Sequence, residues 1–333
     1  MENVSMRDSP LVSFIVISYK HKKYIGDCLE SILSQTYSNM EILYLDDASG
    51  DGTFQKACEY KRRLEEKFIW TEFIENVQNR GLVANLNMLI QMSKGEYIKF
   101  LAADDFMLCD GIKKMVDALE TSQKYDMMYS NGVIGDEGTR FPYENVGKEK
   151  LIYQEVPLYG GGLFEALYER DFILAPSVMT RRCVYEKTGL YDQTIGVEDW
   201  DFYLRIAKEG MIGYLQEPTV MYRMLASSLS HSTDPKRRIN MKKSELQILE
   251  KHQAAAEKAH IRMLVSLNEA IQDAYHIDDK EYISYLHLYA RRNGIRINCR
   301  NRIKGVLYRL GIIRLMCSRM YENGPRQDCQ KTE

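Results

Sequence analysis

The sequence of 333 residues lacks the features that mark several specialised classes of protein. It has no uninterrupted apolar run of about 18 residues, so we expect no helix that spans a bilayer. Its first residues, MENVSMRDSP, contain no apolar segment of the kind that a secretory signal requires. Its net charge of -2 argues against nucleic acid as a partner, because nucleic-acid-binding domains are usually strongly basic. These absences predict a cytoplasmic protein.

The cysteine pattern excludes a disulfide framework. The chain has seven cysteines, an odd number, and no pair has the spacing of metal ligands. We therefore expect free thiols in a reducing compartment. The sequence also lacks a GxxxxGK[ST] loop, which disfavours a phosphotransfer enzyme of that type.

What is present is typical of a globular α/β protein, with 45% hydrophobic and 28% charged residues. Strand and helix patterns alternate through the first 130 residues, and strand–helix–strand units of this kind predict a parallel sheet. The predicted strands cover residues 14–18, 41–45, 69–74, 97–101 and 126–130, and a later one covers 211–215. The segment 132–174 is irregular and rich in glycine and tyrosine. From residue 232 onward the patterns are helical, so we place a boundary between residues 1–231 and 232–333.

Acidic residues cluster at the ends of predicted strands and helices. Three pairs stand out: Asp46 with Asp47, Asp104 with Asp105, and Glu198 with Asp199. Any one pair alone is more typical of a solvated turn. Together they indicate a polar ligand site, because adjacent carboxylates repel unless a cation or sugar hydroxyls lie between them. Hard oxygen ligands suit Mg²⁺ or Mn²⁺, which are often shared with substrate phosphates.

Six segments carry a resemblance to a known family. In chain order they are VSFIVISY, SILSQTY, EILYLDDASGDGT, NRGLVANLN, KGEYIKFLAADD and GVEDWDF. From about residue 12 to 223 the sequence resembles the family 2 glycosyltransferases, which have the GT-A fold. The resemblance implies a Rossmann-like nucleotide-diphosphosugar transferase domain over residues 1–231, with a mainly parallel central sheet. Residues 12–130 would form its nucleotide-binding half, residues 131–231 its acceptor-side half, and residues 232–333 a helical, basic extension.

The same resemblance implies an activity. Family members transfer a sugar from a nucleotide diphosphosugar to an acceptor hydroxyl, with inversion at the anomeric carbon. We expect a UDP-sugar donor and a lipid-linked glycan acceptor in cell-surface polysaccharide synthesis. The alternative is a catalytically inactive relative that binds a nucleotide or a glycan, and Ala102 motivates it, because many members have an aspartate there.

Four residues match the donor-binding positions of the family. Tyr19 resembles the residue that lies against the nucleotide base, and Ser18 stands beside it. Asp47 resembles the acid that hydrogen-bonds the base or ribose, and Arg80 the basic residue near the uracil. A carboxylate accepts from an imide N–H or from ribose hydroxyls, whereas a guanidinium donates to carbonyl oxygens.

Asp104 and Asp105 match the metal motif of the family. The resemblance implies a divalent metal, Mg²⁺ or Mn²⁺, that bridges the two phosphates of the donor. We expect Asp105 to be the direct metal ligand and Asp104 to face the ribose. With Ala102 in the place of a further acid, the choice between the two aspartates stays open.

The pair Glu198 and Asp199 matches the catalytic motif. Asp199 resembles the base that takes the proton of the acceptor hydroxyl, and Glu198 would orient the site. Trp200 would stack on the acceptor sugar, although a packing role for this tryptophan is an equal alternative.

The C-terminal part of the chain is strongly basic. Residues 282–321 contain no Asp or Glu but nine Lys and Arg, interleaved with apolar residues at helical spacing. A basic amphipathic helix is typical of attachment to an anionic membrane surface. We therefore expect a peripheral protein on the inner face of the plasma membrane, the alternative being a helix packed on the catalytic domain.

Overall fold

The computed structural model describes residues 9–143, 150–154, 162–225, 234–253 and 259–309. The chain divides into two compact units, Met1–His231 and Ser232–Glu333. Each unit is described below by itself.

The first half of Met1–His231 is a parallel α/β arrangement. Its elements are β1 (Val12–Ser18), α1 (Ile25–Leu33), β2 (Met40–Asp46), α2 (Thr53–Lys67), β3 (Trp70–Glu75), α3 (Leu82–Met92) and β4 (Tyr97–Ala102). β1 pairs in parallel with β2 and β4, and β2 pairs in parallel with β3. Every residue of β1 and β2 is buried, as expected for strands covered on both faces. The parallel strands predicted here are therefore present.

The second half of this unit adds antiparallel strands to the same sheet. Its elements are β5 (Phe106–Met107), α4 (Gly111–Thr121), β6 (Met127–Gly135), α5 (Leu163–Glu169), β7 (Val178–Arg181), α6 (Arg182–Thr188), α7 (Glu198–Glu209) and β8 (Ile212–Arg223). The order of the eight-stranded sheet is β3-β2-β1-β4-β7-β6-β8-β5. β7 is antiparallel to β4 and β6, and β5 is antiparallel to β8. This mixed sheet confirms the predicted fold class.

Two strands in the second half are longer than the sequence indicated. β6 continues to Gly135, into the segment expected to be irregular, and β8 extends past residue 215 to Arg223. β8 contains Pro218, which lacks the N–H that a strand interior needs. The pairing of β6 with β8 is irregular at that point, with register shifts beside Asn131, the partner of Pro218. A bulge of this kind lets the strand continue past the proline.

The described part of Ser232–Glu333 is helical, as predicted. Its helices are α8 (Pro235–His252), α9 (Ala259–His276), α10 (Lys280–Arg292) and α11 (Cys299–Arg309). Asp234 caps α8 by accepting from Lys236 N at 2.9 Å, and Asp279 caps α10 by accepting from Tyr282 N at 2.9 Å. Across the residues that the structure describes, the helices are too short or too polar to cross a membrane. Residues 310–321 of the predicted basic helix lie outside the described residues.

Candidate active site

Asp46 and Ser18 support the loops at the carboxyl end of β1 and β2. The Asp46 carboxylate accepts from Ser18 Oγ at 2.7 Å, from Ser49 N at 2.8 Å and from Ser49 Oγ at 2.6 Å. The Ser18 hydroxyl also contacts Tyr44 Oη at 2.8 Å, and both Ser18 and Asp46 are fully buried. The structure therefore places Ser18 beneath this edge of the sheet, whereas the neighbouring Tyr19 is 43% exposed.

Asp47 joins the end of β2 to the turn that precedes α3. Its Oδ1 accepts from Asn76 Nδ2 and from Arg80 N, both at 2.8 Å, and its Oδ2 accepts from Gly81 N at 2.9 Å. Burial acts to raise the pKa of Asp47, but hydrogen bonds from Arg80, Asn76, Asn85 and Gly81 outweigh it and hold that pKa below its ordinary value. Asp47 therefore stays charged, and it brings the exposed Arg80 to this edge of the sheet.

The aspartates that follow β4 differ in environment. Asp105 is only 2% exposed, and its Oδ1 accepts from Arg223 N at 2.8 Å. Burial and the charge of Asp104 raise the pKa of Asp105 well above its ordinary value. The Asp104 side chain is 17% exposed, with its Oδ2 3.9 Å from Nε2 of His21. Asp104 is thus the more accessible of the two.

These two aspartates suit a metal that is shared with a substrate. In the described part of the chain, no three His, Cys, Asp or Glu side chains are grouped so that they could hold a metal ion by themselves. Mg²⁺ in nucleotide sites, however, is usually held by one or two carboxylates together with phosphate oxygens. The donor set of Asp104 and Asp105 therefore fits a divalent ion bound with a diphosphate.

Glu198 and Asp199 open α7, where carboxylates complement the positive end of the helix dipole. Asp199 Oδ1 accepts from Trp200 N at 2.8 Å. Burial raises the pKa of Asp199, and burial together with the charge of Asp199 raises the pKa of Glu198 to about 8. A carboxylate with a raised pKa is a stronger base, which is the property that proton abstraction requires.

Asp171 belongs to the same acidic group, although no motif in the sequence indicated it. Burial and the charges of Asp199 and Glu198 raise the pKa of Asp171 well above its ordinary value. Its Oδ1 accepts from Ile173 N at 3.3 Å. A single aspartate in an irregular segment has no spacing signal, so only the fold reveals its relation to the start of α7.

A pair of hydrogen bonds links the region before α7 to the nucleotide-binding half. Asn87 of α3 donates from Nδ2 to Tyr191 O at 2.9 Å and accepts from Tyr191 N at 3.0 Å. Burial raises the pKa of Tyr191 well above its ordinary value, and the charges of Glu198 and Asp199 act in the same direction. The acids of α7 thus lie close to a residue that is fixed to α3, the helix that starts beside Asp47.

Trp200 packs inside the fold. It is 4% exposed, and its indole N–H donates to Leu167 O at 2.7 Å, which joins α7 to α5. A packing role was one of the two alternatives stated for Trp200 from the sequence, and the structure shows this packing. A direct contact between Trp200 and an acceptor stays a prediction.

A mixed sheet whose parallel half ends in acidic turns is typical of the GT-A class of nucleotide-sugar transferases. Residues 13–188, more than half of the chain, match the model of "Glycosyl transferase family 2". The chain therefore belongs to this family, and it is a glycosyltransferase.

Three known proteins illustrate the similarity. EpsE of Bacillus subtilis (strain 168), which is named as a glycosyltransferase, is 29% identical over 222 residues, 64% of this chain and 72% of EpsE. Residues 1–349 of S. aureus TarS in complex with UDP-GlcNAc have a TM-score of 0.55 at 19% identity, covering 90% of this chain and 92% of that one. The mannosyltransferase PcManGT from Pyrobaculum calidifontis, in complex with GDP-Man and Mn2+, has a TM-score of 0.56 at 15% identity, covering 93% and 87%. The two structures show the GT-A fold.

Proposed function

We propose that the chain is an inverting glycosyltransferase that moves a sugar from a UDP-sugar to a hydroxyl of a lipid-linked glycan, in the synthesis of a cell-surface polysaccharide. The observation that carries this proposal is the arrangement of two acidic groups in one GT-A unit. Asp104 and Asp105 follow β4, and Glu198 and Asp199 open α7. The first group suits a diphosphate with its metal, and the second suits proton abstraction.

The donor lies at the carboxyl ends of β1, β2 and β4 in this proposal, as ligands do in open α/β sheets. The exposed ring of Tyr19 packs against the base, and the Arg80 guanidinium donates to base carbonyls. Asp47 stays charged and accepts from the base or ribose. Ser18 acts from below, through Asp46, rather than by direct contact.

Asp104 and Asp105 would hold a Mg²⁺ or Mn²⁺ ion, which would supply positive charge beside the leaving diphosphate. The sequence predicted Asp105 as the direct ligand. The greater exposure of Asp104 favours a direct contact from Asp104 instead, with Asp105 fixing the turn through Arg223 N. The Mn2+ bound in the PcManGT complex is consistent with a metal in this class of fold.

The transfer step follows from the second acidic group. Asp199 takes the proton of the acceptor hydroxyl, whose oxygen attacks the anomeric carbon of the donor sugar. The bond from this carbon to the phosphate oxygen breaks, and the nucleotide diphosphate leaves with the electron pair. Attack from the face opposite the leaving group inverts the anomeric centre. Burial raises the pKa of Asp199 and makes it a stronger base, and the charge of Asp199 in turn raises the pKa values of Glu198 and Asp171.

The lipid-linked acceptor is supported by the basic C-terminal helices. On α11, the apolar side chains of Ile303 and Val306 are 60% and 50% exposed, and Arg300 and Arg302 on the same helix are also exposed. Each Lys or Arg near an anionic membrane surface contributes about 1 kcal/mol of attraction. We place this helix on the inner face of the plasma membrane, close to a membrane-bound acceptor.

Calorimetric titration of the purified chain with UDP and with GDP, each with and without Mn²⁺, tests the donor site. The proposal expects UDP to bind, and to bind more tightly with Mn²⁺ than without it. Tighter binding of GDP than of UDP would mean that the donor is a GDP-sugar, and the proposed donor site would stand. Binding of neither nucleotide would contradict the proposed donor site.

A further inference from the structure

Arg223 is a buried cation directly behind the acidic turn. It ends β8, and its side chain is fully buried. Its backbone N–H donates to Asp105 Oδ1 at 2.8 Å, and its Nη1 donates to the carbonyl oxygen of Asp104. Both aspartates of the turn therefore contact one residue. No sequence motif marks Arg223, because the predicted strand ended at residue 215.

The other contacts of Arg223 fix the guanidinium in place. Nη2 donates to Asp27 Oδ2 of α1 at 3.0 Å and to Thr139 O, just after β6, at 2.9 Å. The guanidinium carbon lies 4.7 Å from the ring centre of Tyr24 and 5.6 Å from that of Phe106. The guanidinium thus connects α1, the end of β6 and the turn after β4.

This arrangement is costly for stability alone. The Arg223 guanidinium is removed from water entirely and its partner Asp27 in large part, and a well-packed apolar pair of similar volume is often at least as stable. In addition, Arg223 Nε has no hydrogen-bond partner among the described residues. A buried arginine with one unsatisfied donor is better explained by what its other groups hold, namely the backbone and the carboxylate of the aspartate turn.

We propose that Arg223, anchored by Asp27, is a positioning residue that holds the Asp104–Asp105 turn in the orientation needed to bind the metal and diphosphate of the donor. This inference rests on the proposed function. Arg223 lies behind the turn and acts through the two aspartates, so it makes no contact with the donor itself. Loss of its contacts leaves the Asp47 and Arg80 region unchanged, because none of the hydrogen bonds of that region involves Arg223.

The proposal distinguishes UDP binding in the presence of Mn²⁺ from UDP binding without it. Calorimetry on the full chain measures both. The Arg223→Lys variant keeps the charge, but an ammonium cannot donate to several separate partners in the fixed planar arrangement of a guanidinium. We expect it to weaken UDP binding in the presence of Mn²⁺ by roughly 10- to 100-fold, the usual effect of losing a partner that orients a metal ligand. UDP binding without Mn²⁺ should change by less than about twofold, since the base and ribose contacts remain.

Two further variants distinguish loss of the positioning role from a general loss of structure. Arg223→Gln combined with Asp27→Asn removes both charges of the ion pair together, and we expect it to fold and to show the same selective loss. Arg181→Lys is the matched control, because Arg181 is also largely buried and donates to Tyr125 O at 2.9 Å and Leu119 O at 2.7 Å, by the start of β4. We expect this control to bind UDP with Mn²⁺ as the unchanged chain does.

Equal binding of Mn²⁺ and UDP by Arg223→Lys and the unchanged chain would overturn the positioning role. So would an equal loss of binding with and without Mn²⁺, because that result indicates general loss of structure. If the unchanged chain shows no effect of Mn²⁺, the proposed metal site fails and the positioning role fails with it. If Mn²⁺ strengthens UDP binding equally in the unchanged chain and in both Arg223 variants, the positioning role alone is overturned.

Discussion

At the scale of single residues, the acids of the candidate site are held in two different states. Asp47 is kept charged by hydrogen bonds from the turn before α3, because they lower its pKa despite its burial. Asp199 is driven toward the protonated state by its partial removal from water, and Glu198 and Asp171 by the same effect together with the charge of Asp199. The first state suits recognition of a neutral base or ribose, and the second suits transfer of a proton.

The acids of α7 predict how activity depends on pH. Asp199 acts as a base only when it is ionised, and its raised pKa means that activity is lost as the pH falls through that raised value. Glu198, whose pKa is about 8, is still protonated when Asp199 ionises, so the neutral Glu198→Gln substitution leaves the charge beside Asp199 unchanged at that pH. We therefore expect the acid limb of the rate profile to stay where it is, and any change of rate near pH 8 that reports the ionisation of Glu198 to disappear. Initial rates of nucleotide release across the pH range measure both regions of the profile.

The control for this prediction lies on the same helix. Glu209 is exposed at the far end of α7, so Glu209→Gln should leave the whole rate profile where it is, including the region near pH 8. An acid limb that moves in Glu198→Gln would contradict this account, because it would mean that Glu198 is charged when Asp199 ionises.

Sequence motifs predicted the residues to which we assign direct chemistry, and they missed the residues that we propose to act through others. Asp47, Arg80, Asp104 and Asp199 belong to short motifs that follow strands or open a helix, and such motifs can be read from the chain. Arg223 and Asp27 lie 196 positions apart, so their ion pair exists only in the folded chain. The burial of Ser18 and Trp200 likewise depends on neighbours that are distant in sequence.

At the scale of elements, periodicity predicted the regular strands and helices and failed for the short strands. β5 has two residues and β7 has four, too few for an alternating pattern to be visible. Both are held by neighbouring strands rather than by their own composition. The full length of β8 was hidden by Pro218, since a proline in a sequence normally argues against a strand interior.

The basic helix α11 predicts binding to anionic membranes. Arg300→Glu combined with Arg302→Glu reverses two exposed charges. We expect this variant to lose most of its binding to vesicles of phosphatidylserine and phosphatidylcholine, because each basic residue near the surface contributes about 1 kcal/mol. Sedimentation with vesicles measures the bound fraction.

The matched control places the same change elsewhere. Lys61→Glu combined with Arg62→Glu reverses two charges on α2, and we expect vesicle binding to persist. Equal binding by the α11 variant and the unchanged chain would favour the alternative, in which the basic helix packs against protein.

At the scale of the whole molecule, the two halves of Met1–His231 supply different parts of the candidate site. The parallel half supplies the turns at the carboxyl ends of β1, β2 and β4, where the proposed donor lies. The second half supplies α7 with its acids and β8 with Arg223. Contacts across the two halves, from Asn87 to Tyr191 and from Asp27 to Arg223, join the proposed donor and acceptor sides. The fold therefore joins the proposed donor site and the proposed base within one unit.

The central claim is that Asp199 is the base of a metal-assisted sugar transfer. The most direct measurement is the rate of nucleotide diphosphate release from UDP-GlcNAc and from GDP-mannose with Mn²⁺ and a lipid extract as the acceptor source, for the unchanged chain and for Asp199→Asn. The account predicts release by the unchanged chain and a loss of roughly 10²- to 10⁴-fold in the variant, the usual contribution of a positioned base. Equal rates for the two proteins would contradict the account.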